Sequence, residues 1–101
     1  MAKINQNEIA AEREAQTAVW EFRKKNYHAE DNENFWADLC DETDAISNKY
    51  KSIYVDMLLL ACVADIEIRY MKEKGTPVDS VERLKRIPDV LNGIIERNKS
   101  R

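Results

Sequence analysis

Residues that turn a chain are scarce in this sequence: glycine and proline each occur only twice among 101 residues. Average usage is roughly 7% and 5%, and β-sandwiches and barrels need a turn about every ten residues. Few turns leave long helices, and a chain of this length holds one core. The expected fold is therefore all-α, an antiparallel bundle of about four helices. Residues 1–101 form its single domain, with frayed ends at 1–5 and 98–101. An apolar fraction of 44% beside 35% charged residues suits a globular chain rather than a disordered one.

Apolar spacing places the helices. The first is predicted over 6–25, capped by Asn5 or Asn7, with Ala11, Ala15, Ala18, Val19 and Phe22 on its core face. Ile9 and Trp20 fall together on roughly the opposite side, with Arg13 and Arg23 beside them and Tyr27 extending the stripe. A second helix, capped by Asp31 or Asn32, runs to about Tyr50. Its stripe is Phe35, Leu39, Thr43, Ile46 and Tyr50, with Trp36 alongside. Ser52 caps a third helix over 53–74, and Gly75 ends it. This helix contains the run 57–64 (Met-Leu-Leu-Leu-Ala-Cys-Val-Ala), and a stretch apolar all round marks the central element. Lys49, Asp56, Glu67 and Lys74 trace a narrow polar line along it. Thr76, Pro77 and Asp79 read as the capped start of a fourth helix. Its stripe of Val81, Leu84, Leu91 and Ile95 continues through Pro88, so this segment is expected as one helix kinked there or two short coaxial ones.

Charge is distributed unevenly. The net charge is only −3, yet residues 26–48 carry seven acids and no lysine or arginine. Four of those acids, Asp38, Asp41, Glu42 and Asp44, spread over the outer face of the second helix and form a candidate acidic surface for a basic partner. The overall acidity argues against a dedicated nucleic-acid binder, because the basic residues after 83 are interspersed with Glu82, Asp89 and Glu96. The longest apolar run is too short to span a bilayer, and the N-terminus lacks the apolar core of a signal peptide. Cys40 and Cys62 lie in apolar-patterned segments without further ligands, so both are expected as buried, reduced thiols of a cytoplasmic protein.

Catalytic constellations are sparse. The single histidine, His28, falls in a turn without an oriented partner, and there is no glycine-rich phosphate loop. Glu30/Glu33, Asp38/Asp41 and Asp41/Asp44 have the i, i+3 spacing that lets two carboxylates share a magnesium ion on a helix. All three pairs lie in one segment, however, and Asp56 and Asp65 on the third helix have no acid at i+3 or i+4 to face them. No enzyme activity, cofactor, metal or small-molecule substrate is therefore expected.

The patches Ala-Val-Trp-Glu-Phe-Arg-Lys-Lys-Asn-Tyr, Asn-Phe-Trp-Ala-Asp-Leu, Ile-Ser-Asn-Lys-Tyr and Leu-Leu-Leu-Ala, spread over 18–61, resemble small prophage-encoded helical proteins of Gram-positive bacteria. Those proteins have no assigned activity, so no functional residue carries over. Two functions remain as expectations. The first is a non-enzymatic protein–protein interaction module that forms a homodimer through Ile9, Arg13, Trp20, Arg23 and Tyr27. Aromatics beside arginines are what interface centres favour, and a two-fold axis would pair those arginines twice with the acidic helix of a second copy. The second is a phage-type regulator or inhibitor whose acidic helix binds a basic host protein, possibly one that itself binds nucleic acid.

Overall fold

The computed structural model describes residues 3–75 and 80–99, the side chains of 80–88 and of Val90 aside. Four helices follow one another: α1 (Gln6–Lys25), α2 (Glu33–Tyr50), α3 (Ile53–Glu73) and α4 (Ser80–Lys99). The fold is an all-α bundle. The expected capping sequence 76–79 lies outside the described residues, as does the Pro88 side chain at the expected kink. α4 runs through position 88 as one helix.

Side-chain caps set three of the starts. Asn5 accepts from the Glu8 N–H at 2.9 Å, which satisfies an otherwise orphaned helix donor, and its side-chain amide donates to the Glu8 carboxylate. Asn32 accepts from the Phe35 N–H at 2.7 Å, and Ser52 from the Val55 N–H at 3.3 Å. Only Lys51 and Ser52 separate α2 from α3. Lys51 closes α2 in the left-handed region at φ 48°, which costs a non-glycine residue about 1–2 kcal/mol. Gly75 ends α3 at φ 70°, where the missing Cβ removes that cost.

α3 is the central element and packs against α1, α2 and α4, while α1 also packs against α2. Among the described residues no backbone approach joins α1 to α4. The core is Ala15, Val19 and Phe22 from α1, Leu39 from α2, and Val55, Leu59, Cys62 and Ile66 from α3. The α3 members recur at i, i+4, i+7 and i+11, a single stripe on one side of the helix.

Four expectations change. Ala11 is exposed and Ala18 only half-buried, because α1 turns the Ala15–Val19–Phe22 edge inward. Cys40 is exposed, and only Cys62 is buried. Asp56 belongs to no solvent line: it is 5% exposed and bound inside the bundle. Ser47 Oγ donates to its Oδ1 at 2.5 Å, Asn98 Nδ2 donates to its Oδ2 at 3.0 Å, and Arg97 Nη1 donates to Ser47 Oγ at 3.0 Å. A buried carboxylate persists only when it is hydrogen-bonded in this way. Asn98, expected to fray, is thus half-buried and ties the end of α4 to the start of α3.

Leu59→Asp should unfold the bundle, since a charge buried without a partner costs several kcal/mol against a total stability of ~5–15 kcal/mol. Leu58→Asp, at a half-buried position next door, should leave a cooperative melt at a lower midpoint. Thermal circular dichroism on both variants checks the pair, and equal effects would contradict the orientation of α3.

Candidate interaction face

The side of α3 opposite its core stripe is apolar and uncovered. Ile53, Tyr54 and Met57 are 46%, 48% and 49% exposed, Ala61 is exposed, and Ile68 is half-buried. At about 100° per residue, Met57 lies some 160° around the helix from Val55 and Leu59, and Ala61 some 160° from Leu59. Monomers scatter exposed apolar residues singly, so a run of them along one helix edge is a candidate contact surface.

The α1 stripe is also partly open to solvent. Trp20 is 56% exposed and Tyr27 43%, Arg13 is exposed, and Ile9 is half-buried. A groove of about 490 Å³ between the first halves of α1 and α3 is lined by Ile4, Ala11, Gln16 and Tyr54, with Glu8 and Glu12 at its rim. The Lys24 ammonium sits 5.6 Å from the Trp20 ring centroid and 2.8 Å from Glu21. On α4, Arg97 points toward Asp44 and Ser47 of α2, so Ile95, two residues earlier and 43% exposed, lies about 200° round on the other side.

Arg23 has a different place from its neighbours. It is half-buried and bridges α1 to α3, with Nη1 donating to Asp65 Oδ2 at 2.9 Å. Arg69 Nε donates to the same oxygen at 3.0 Å, and the Arg69 guanidinium lies 3.7 Å from the Tyr27 ring centroid. Arg23 also approaches that ring, at 5.5 Å. Tyr27 and Arg23 therefore clamp α1 to α3, and Ile9, Arg13 and Trp20 are left facing outward. The Asp65–Arg69 pair has the i, i+4 spacing of a helix-surface ion pair. Arg23, 42 residues away, gave no sequence signal.

The acidic residues divide likewise. Glu42 is half-buried and accepts from Lys25 at 2.8 Å and from Asn26 at 2.7 Å. Asp44 lies 3.6 Å from Arg97 Nη2. Asp38 and Asp41 are exposed and make no ion pair among the described residues. Outside this surface, Asp31 accepts from Lys74 at 2.7 Å and from Tyr70 at 2.5 Å, which joins the α1–α2 turn to the end of α3.

Among the described residues no three His, Cys, Asp or Glu side chains gather where they could hold a metal ion. A cavity of about 440 Å³ between α2, α3 and α4 is lined by Thr43, Leu59, Val63 and Ile94 around the Ser47–Asp56–Arg97 network, whose polar groups are bonded to one another. No described helix is long and apolar enough to cross a membrane. No protein-family model, curated protein or solved structure matches this chain.

Hydrogen bonds from Lys74 and Tyr70 hold the Asp31 carboxyl below the ordinary aspartate range. Burial pushes Asp65 up, but bonds from Arg69 and Arg23 outweigh it and leave that carboxyl low as well. A carboxyl whose folded pKa is depressed stabilises the fold above its unfolded value, and that contribution drains as pH falls through the folded one. The melting midpoint should therefore fall as pH drops through the ordinary aspartate range, near 4, and below it. Asp65→Asn should lower the midpoint at neutral pH and make the acid-side fall shallower. An unchanged slope would show that Asp65 has no part in it.

Proposed function

We propose that this chain works by protein–protein contact, as a self-associating module without catalytic machinery. The observation that carries this reading is the uncovered apolar edge of α3 (Ile53, Tyr54 and Met57), together with the exposed Trp20 of α1. Fully burying a large apolar side chain is worth about 1.5–3 kcal/mol, and these four, being about half exposed, each keep roughly half of that to contribute to a modest interface. Trp20, wide, exposed and steadied by Lys24, has the character of an interface anchor. A second reading, a regulator that captures a basic protein on α2, is favoured by the exposure of Asp38 and Asp41.

Light scattering tests the first reading. The wild type should show at least twice the 11.8 kDa chain mass at high micromolar concentration. Trp20→Ala should melt cooperatively near the wild-type midpoint and scatter as a single chain, having lost an anchor worth about 2 kcal/mol. A wild type that stays monomeric removes the proposal, and so does a Trp20→Ala variant that unfolds.

A further inference from the structure

Self-association leaves open how two copies meet, and the outward side of α3 is patterned closely enough to answer this. The core uses one stripe of the helix, Val55, Leu59, Cys62 and Ile66. A second apolar stripe runs along the other side through Tyr54, Met57, Ala61, Ala64 and Ile68, at steps of three, four, three and four. Tyr54, Met57 and Ala61 are exposed, and Ala64 and Ile68 are half-buried. Alternating steps of three and four keep a seam in line along a helix, and they are the spacing by which one helix packs lengthwise on another. The seam is small in the middle and wide on both sides: Ala61 and Ala64 lie between Met57 and Ile68. Two such helices laid antiparallel about a point between the alanines set Ala61 against Ala64 and Met57 against Ile68.

Trp20 belongs to the same face. Around α1, Arg23 falls between the buried Val19 and the exposed Trp20; around α3, Asp65 falls between the buried Ile66 and the exposed Ala61. Since Arg23 is bonded to Asp65, Trp20 and Ala61 look out on one side of that contact. The two helices run in the same direction, for Glu12 shares a groove with Tyr54 at the start of α3 and Arg23 reaches Asp65, 42 positions on. That offset puts Trp20 level with Cys62, beside the midpoint of the seam.

Charge on this face is mixed, and it is sorted by end. The exposed Glu8 and Glu12 edge the seam where it begins. Lys24 is neutralised by Glu21. Lys72, two turns beyond Asp65 on the same side of α3, is exposed at the far end and makes no ion pair among the described residues. Parallel self-pairing would set the acids of one copy against the same acids of the other. Antiparallel pairing brings Glu12 of each copy level with Lys72 of the other and opposes the two helix dipoles.

We propose that a second copy covers this face with its own, α3 against α3 antiparallel about a two-fold axis between Ala61 and Ala64, with Trp20 of both copies beside the axis. This rests on the self-association reading and specifies its geometry. An isologous contact of this kind occupies the face on both copies, so assembly stops at two.

Disulfide trapping in the full chain tests it. Met57→Cys and Ile68→Cys are made separately, each with Cys40→Ser. Either variant alone should stay uncrosslinked under mild oxidation, because antiparallel pairing holds its two new thiols roughly 16 Å apart along the helix axis, beyond a disulfide's reach. Mixed, the variants should form a dimer joined from position 57 to position 68, at least ~tenfold faster than wild-type chains couple through the exposed Cys40. Wild-type mass should level off at twice 11.8 kDa as concentration rises. If either variant crosslinks to itself as fast as the mixture does, the helices lie parallel and the proposal is overturned. A mixture that couples no faster than Cys40 overturns it too, as does a mass that keeps growing past two chains. In those three cases a wild-type mass above one chain leaves the self-association reading standing, whereas a wild type that never exceeds one chain removes both. Should Ile68→Cys fail to fold, a spin label on Met57→Cys/Cys40→Ser alone carries the test: antiparallel pairing holds the labels roughly 16 Å or more apart, and a side-by-side pair overturns it.

Discussion

A helix that is apolar on every side needs neighbours on every side, and a chain with four helices can give its central one only three. That constraint shapes the whole molecule. α1, α2 and α4 cover three sides of α3, and the fourth keeps Ile53, Tyr54 and Met57 in water. The polar residue that could have dressed this edge, Asp56, is spent inside, where Ser47 and Asn98 bind it and Arg97 binds Ser47 in turn. Polarity placed inward and apolarity left outward is a costly pattern for an isolated domain.

Two local devices hold the central helix in this orientation. The left-handed turn at Lys51 folds α3 back on α2 within two residues, which brings Ser47 to Asp56 nine positions later. At the far end, Arg23 and Arg69 grip one oxygen of Asp65 while Tyr27 lies against the Arg69 guanidinium. A rotation of α3 about its axis would break both sets of contacts. The exposed edge is therefore fixed by polar interactions at the two ends of the helix, and the apolar packing between them fills in around that setting.

Local chemistry made the helix boundaries legible. Asn5, Asn32 and Ser52 are caps because each is a short polar residue just ahead of an apolar period, and each accepts the N–H three residues on. The outward position of Trp20 was legible too, from its angle relative to Ala15 and Val19. What failed depended on partners distant in sequence. Asp56 looked like a solvent residue because Asn98, 42 positions away, cannot be anticipated from spacing. Arg23 looked like a free flank of the aromatic stripe for the same reason. Cys40 was read as buried because its segment is apolar-patterned, whereas its angle places it at the rim of α2. In each case a polar or small side chain could sit on either side of a helix boundary line, and only the neighbouring helix decided which.

The two thiols occupy contrasting places, and that contrast makes the bundle its own stopwatch. Cys40 is open to solvent, while Cys62 is 7% exposed in the core stripe of α3, beneath α1. A small alkylating reagent would reach the first directly, and the second only in the moments when α1 lifts from α3. The lag between the two modifications measures how often that happens, and so converts a packing arrangement into a free energy of local opening.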